Sequence, residues 1–207
     1  MDYSIFCISD NNLLKGGVFL ALLWGFWFLP SAEQRRNRIV VISTLTGSLL
    51  ALAVNQVAQR LGPFRLRPYA AGLPGIQFPY HLGIREVSSF PSDHAALFCG
   101  LSTGLFFLSR RIGLTAFFYA TAVIFLPRIY LGLHYPSDIL GGAIIGIGCV
   151  CLIHGTRLRN LFADFCLKMS NEHPATFYAA MFLLTYQTAT LFDDARALAA
   201  WLSAVLG

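Results

Sequence analysis

The sequence predicts an all-α fold, a polytopic membrane helix bundle of about six transmembrane helices, with residues 1–207 as a single domain. Three observations carry that expectation. Hydrophobic residues make up 56% of the chain and charged residues 12%, with mean hydropathy +0.62, which leaves too little polar surface to cover a water-soluble globule. The apolar residues, 18 Phe among them, fall into runs rather than an amphipathic scatter, as a bilayer solvent selects. Between the runs lie short connectors that carry most of the Lys and Arg.

The expected spans are residues 13–30, 39–58, 94–109, 113–131, 137–154 and 175–192. The third and fifth fall short of the roughly 20 residues a perpendicular helix needs. Residues 1–10 are too polar to span. The first apolar run has no positive segment before it and no small-residue cleavage site after it, so it reads as a retained helix rather than a signal peptide. The C-terminal segment opens with Asp193-Asp194 and sets Leu198, Trp201, Leu202 and Val205 at helical spacing, which suits a short interfacial helix capped by the aspartates.

Connector charge orients the bundle. Arg35, Arg36 and Arg38, then Arg110 and Arg111, then Arg157, Arg159 and Lys168 occupy the first, third and fifth connectors, which the positive-inside tendency assigns to the cytoplasm. The connectors at 59–93 and 132–136 then share the outer face. The net charge of +5 sits in connectors, not on one helix face or in a tail, so nucleic acid is excluded as a partner and anionic lipid is favoured. The five cysteines form no CxxC or Cys/His cluster and read as small buried residues with free thiols.

Three clusters meet on the outer face: RLGPFRLRP at 60–68, FPSDHA at 90–95 and RIYLGLHYPSD at 128–138. Ionisable groups at span ends in so apolar a chain are costly and mark a functional site. Two histidines and a carboxylate could hold a metal. Arg60, Arg67 and Arg128, however, would repel a cation and favour a tetrahedral anion through charge-assisted hydrogen bonds. A neutral imidazole can attack phosphorus, best when a carboxylate holds its other ring nitrogen, and Asp138 follows His134 by one helical turn. His94 is then free to protonate a leaving oxygen. Ser92 precedes it at an expected helix start, where N–H groups and the hydroxyl can take phosphate oxygens.

These residues resemble the three-part signature of the type-2 phosphatidic acid phosphatase (PAP2) superfamily: Arg60, six residues, Arg67-Pro68; Pro91-Ser92-Asp93-His94; and Arg128, five residues, His134, three residues, Asp138. The signature covers residues 60–138, and the spans around it are similar to the family only in hydrophobicity. The resemblance implies a metal-free lipid phosphatase with an extracytoplasmic active site. His134 would be the nucleophile, Asp138 its orienting partner and His94 the general acid; Arg60, Arg67, Ser92, Asp93 and Arg128 would bind substrate, with no cofactor. Arg60 stands where the family usually has Lys, Pro127 where Ser usually precedes the third-motif arginine, and Asp93 where Gly is frequent. The stretches SSFPSDHA and IYLGLHYPSDILGG resemble the bacterial undecaprenyl-diphosphate phosphatase branch. The implied partners are a lipid phosphate or diphosphate and the lipids of a bacterial inner membrane, with the site facing the periplasm or exterior. Glycerolipid phosphates and lipid A phosphate transfer are the alternatives within the class. A lipid-binding relative without turnover is disfavoured, because such a pocket needs neither nucleophile nor acid. The oligomeric state is left open.

The remaining polar residues read as structural. His81 is expected at the surface and His154 and His173 at the interface; Arg65 and Arg85 read as solvated loop charges or substrate contacts, and Glu86 as a loop charge in preference to a pyrophosphate-side or catalytic carboxylate. Asn55, Gln56 and Gln59 suit interhelical hydrogen bonds, and Gly141, Gly142, Gly146 and Gly148 suit close helix packing.

Overall fold

The computed structural model describes residues 2–72 and 88–206, and every regular element among them is helical. His81, Arg85 and Glu86 lie outside the described residues. In chain order the helices are α1 (Asp2–Asp10), α2 (Val18–Phe28), α3 (Gln34–Leu61), α4 (Asp93–Leu108), α5 (Arg110–Tyr119), α6 (Leu126–Tyr130), α7 (Pro136–Gly155), α8 (Leu158–Glu172), α9 (Pro174–Ala189) and α10 (Asp193–Leu206). A π-helical turn over Leu13–Gly17 leads into α2, and another over Ala120–Phe125 joins α5 to α6. Each expected span falls on helix.

Among the described residues three helices are long and apolar enough to cross a membrane: α3, the continuous helix Arg110–Tyr130, and α7. A fourth is added if Ser4–Asp10 and Leu13–Phe28, bent by 50°, form one broken span. Both α4 and α9 have 16 residues, about 24 Å at 1.5 Å per residue, less than a ~30 Å hydrocarbon core.

The shortness of α4 goes with its position. It is apolar all round and buried from Ala95 to Leu105, with α3, α5 and α7 packed against it. Glycines let the backbones close up. A Cβ at Gly146 would stand 2.1 Å from the Ala96 carbonyl oxygen, one at Gly142 2.3 Å from that of Ser92, and one at Gly104 2.0 Å from Thr44 Oγ1. Gly141 faces the Phe90 ring, but Gly148 meets nothing within 4 Å, so packing does not explain it. Two hydroxyls in this core donate back to the carbonyl four residues earlier, Thr44 to Val40 and Ser102 to Phe98, each at 2.7 Å, whereas the buried Ser48 Oγ has no partner among the described residues.

Two sequence expectations change. Residues 158–172, read as a connector, form α8, which buries Ala163, exposes Leu161, Phe162 and Phe165, and pairs Asp164 with Arg35 at 2.9 Å. Its mixed composition hides an amphipathic helix. Of the cysteines only Cys99 is buried; Cys7 and Cys151 are exposed, although all five are free thiols as expected. The Asp193-led helix forms as expected, with both aspartates in its first turn.

Candidate active site

The C-terminal end of α3, the N-termini of α4 and α7 and the C-terminus of α6 meet at one end of the bundle. Hydrogen bonds stitch the loops between them. Ser89 N–H donates to the Arg65 carbonyl at 2.9 Å, Tyr69 N–H to that of Gly132 at 3.0 Å, and Ser92 N–H to that of Asp138 at 3.0 Å. Gly132 adopts φ +68°, a left-handed conformation that glycine takes without a Cβ clash, and this turn reverses the chain between Arg128 and His134.

His134 is almost fully buried, with its Nδ1 3.0 Å from the Ser89 carbonyl oxygen and 3.6 Å from Asp138 Oδ2. A carbonyl only accepts, so Nδ1 carries the proton and Nε2 keeps its lone pair. Burial pushes the His134 ring below its ordinary value of 6.5; the neighbouring Asp138 carboxylate opposes this, and the positive charges of Arg67 and Arg128 add to it. The ring is therefore neutral at neutral pH.

Asp138 was expected to orient His134, but the Ser89 carbonyl is the nearer partner. The Asp138 carboxylate is fully buried and divided among several groups. Its Oδ2 accepts from Tyr135 N–H at 2.8 Å at the start of α7, and its Oδ1 accepts from Arg65 Nη1 at 2.8 Å. Arg65 also donates to Ser137 Oγ at 2.8 Å and lies 3.9 Å above the Tyr135 ring. Arg65 thus departs from its reading as a solvated loop charge. The available signal was three arginines within the nine residues 60–68.

His94, half-buried on the first turn of α4, receives a hydrogen bond on Nε2 from Arg128 Nη2 at 2.7 Å. A guanidinium only donates, so this nitrogen is the acceptor. Arg128 is buried, and its Nη2 also lies 3.4 Å from the Ser9 carbonyl oxygen and 3.9 Å from Asp10 Oδ1. Arg67 donates to the Leu133 carbonyl at 3.1 Å. The Nε atoms of both Arg67 and Arg128 are buried with no hydrogen-bond partner.

The other expected site residues are engaged with the scaffold or exposed. Ser92 is fully buried and caps α4, its Oγ 3.5 Å from Ala95 N. Asp93 turns its carboxylate toward α3, where the amides of Asn55, Gln56 and Gln59 all donate to it; this is the interhelical bonding expected of those three, with an acid as its partner. Asp93 is thereby committed to holding α4 against α3. Arg60 is exposed on the last turn of α3 and makes no ion pair or hydrogen bond among the described residues. Among the described residues no three His, Cys, Asp or Glu side chains converge as a metal site would need.

A helical membrane-type bundle with two histidines set among arginines at one end defines the class. The chain belongs to the PAP2 superfamily, whose model matches residues 36–162 and so takes in every residue of the expected signature. An undecaprenyl-diphosphatase of Bacillus subtilis (strain 168) is 28% identical over 129 residues, 62% of this chain and 62% of that protein. A bacitracin transport permease protein of Bacillus licheniformis is 31% identical over 153 residues, 73% of this chain and 71% of its own. A lipid A 1-diphosphate synthase of Escherichia coli (strain K12) is 28% identical over 184 residues, 80% of this chain and 74% of its own. The resemblance to the undecaprenyl-diphosphate phosphatase branch is therefore supported. No solved structure matches.

Proposed function

We propose that the protein is a metal-independent lipid phosphatase that hydrolyses undecaprenyl or another polyprenyl diphosphate to the monophosphate and inorganic phosphate. The observation that carries the reading is His134: a neutral ring whose Nδ1–H is taken by the Ser89 carbonyl, leaving Nε2 as a nucleophile among arginines. Nε2 attacks the terminal phosphorus, the bond from that phosphorus to the bridging oxygen breaks, and His94 delivers a proton to the departing lipid phosphate. Water then attacks the phosphohistidine, with His94 accepting its proton, and inorganic phosphate leaves. For His94 Nε2 to serve as the acid, Arg128 must turn from that nitrogen to the phosphate oxygens, which are better acceptors, and the freed nitrogen must take up a proton from the substrate or solvent before the bond to the bridging oxygen breaks. Arg67 and Arg128, each with an unused Nε, supply the positive charge that a metal would supply elsewhere. Arg60, Ser92 and Asp93 act from the periphery, Ser92 and Asp93 by fixing the start of α4.

The chain spans 62% of the length of the Bacillus subtilis relative, an undecaprenyl-diphosphatase, and that likeness supports this substrate. The Escherichia coli lipid A relative, matched over 80% of this chain, favours a second reading in which a lipid A phosphate is the substrate or acceptor. In both readings the chain crosses the bacterial inner membrane about six times, with α4 and α9 as short crossings and the histidines facing outward.

Phosphate release by detergent-purified protein in EDTA decides among substrates. Polyprenyl diphosphate should be turned over faster than phosphatidic acid or lipid A; preference for either of those, or loss of activity restored by Mg²⁺ or Zn²⁺, would overturn the reading. Orientation is tested in a cysteine-free background, where Phe64→Cys should react with an impermeant maleimide on intact cells and Arg157→Cys should not.

A further inference from the structure

Lys15 lies outside the residues that the superfamily model matches, and the mechanism above leaves it unused. It sits in the π-helical turn Leu13–Gly17, where its side chain is only 3% exposed. A π-helical turn is an unusual local geometry that concentrates at functional sites, and this one is pinned from α5, where Tyr119 Oη donates to the Leu14 carbonyl at 2.8 Å. The ammonium donates to Asp10 Oδ1 at 3.2 Å. That same oxygen is 3.9 Å from Arg128 Nη2, and Arg128 Nη2 is 2.7 Å from His94 Nε2. Lys15, Asp10, Arg128 and His94 thus form one chain of contacts, separate from the contacts to Ser89 and Asp138 that hold His134.

Charge and mobility in that chain are uneven. Lys15 and Arg128 are buried, whereas Asp10 is 57% exposed, so its carboxylate can be hydrated when an anion takes its place. Asp193, at the start of α10, also acts on both cations. A buried lysine with one hydrogen bond among the described residues from three available donors, beside an arginine with an unpartnered Nε, can take an anion with more oxygens than one carboxylate presents.

We propose that Lys15 is a second substrate-binding cation, contacting the phosphoryl group that leaves with the lipid, and that the Asp10 carboxylate keeps this position until a diphosphate displaces it. The inference rests on the reading of the site as one for a diphosphate lying between His134 and His94. It makes Lys15 a determinant of diphosphate over monophosphate, because a single phosphate held at His134 does not extend to it.

The test is calorimetric binding of inorganic phosphate and of pyrophosphate to the detergent-purified full chain. Lys15→Met should weaken pyrophosphate by about 10- to 100-fold, as for loss of one charge-assisted hydrogen bond, and leave phosphate within about threefold. Lys15→Arg should keep most of the pyrophosphate affinity. Asp10→Asn should tighten pyrophosphate several-fold, since it removes the competing carboxylate. An ion pair that merely anchors α1 predicts the opposite for Asp10, with Lys15→Met and Asp10→Asn both lowering the melting midpoint and weakening both anions alike. That result, or unchanged pyrophosphate binding in Lys15→Met, would overturn the proposal. Wild-type turnover of polyprenyl diphosphate on the same preparation reports on the function separately. Absent turnover with Lys15-dependent pyrophosphate binding would defeat the function and support the ligand; turnover with Lys15-independent binding would do the reverse.

Discussion

His134 gives Nδ1–H to a backbone carbonyl, whereas His94 receives a hydrogen bond on Nε2 from a guanidinium. The first arrangement is anchored in the protein's own frame: the Ser89 carbonyl cannot leave, and Asp138 is held by Tyr135 N–H and Arg65. The second depends on Arg128, which is also drawn toward Ser9 and Asp10 of the N-terminal segment. In the proposed reaction one histidine would be set before substrate arrives and the other by the substrate, as Arg128 changes partner. Preorganisation at the attacking atom with adaptability at the leaving side suits a site whose substrate carries its bulk on the leaving group.

The comparison can be broken most severely at its fixed half. His134→Ala should lower kcat on the order of 10⁴-fold or more and abolish a phosphoenzyme trapped with ³²P-labelled substrate, while lipid binding persists through the arginines. Turnover near wild type would transfer the nucleophile role to His94. His94→Gln should cost about 10²- to 10⁴-fold, less for a diphosphate than for a phosphate monoester, because the better leaving group needs less protonation. Equal losses on both substrates would remove His94 from the acid role.

A pH profile sharpens the contrast. Since the His134 ring titrates below 6.5, the neutral, reactive form persists as pH falls, and the acid limb of kcat/KM should lie below 6.5, with activity rising with pH through it. Arg67→Gln removes a positive charge that disfavours the imidazolium, so the limb should move to higher pH; a shift to lower pH would contradict the electrostatic account. The smallest effect belongs to the scaffold beneath both histidines. Gly146→Leu drives a side chain into the Ala96 carbonyl and should destabilise the α4–α7 contact by about 1–3 kcal/mol, seen as a lower melting midpoint. Gly148→Leu, facing open space, should leave the midpoint unchanged.

What was legible in the sequence follows from which forces act locally. The six apolar segments are all helical because a bilayer admits few ways to satisfy a backbone, and hydropathy reads that constraint directly. The residues 158–172 escaped because an amphipathic helix lacks the continuous apolar run that marks a span. At the site, His94, His134, Asp138, Arg67 and Arg128 were found by type and spacing and do meet at one end of the bundle. The Ser89 carbonyl could not be found that way, since every residue carries one. Asp93 was half legible: its three carboxamide partners were read as interhelical donors, but their acceptor was not named. Arg65 and Lys15 were missed because a lone cation in a loop or an apolar run has many innocent explanations, and only packing separates a solvated one from a buried one.

The hydrogen bond from His134 to Ser89 also has a consequence for regiochemistry. Imidazole can be substituted at either nitrogen, and the two products differ in stability and in spectrum. With Nδ1 facing a carbonyl inside the protein, an electrophile reaches the ring at Nε2 alone. An adduct on His134, whether from substrate or from a phosphorylating or alkylating reagent, should therefore be one isomer, distinguishable by ³¹P resonance or by fragmentation. Unfolding the chain would give both nitrogens back to the reagent and turn a single product into a mixture.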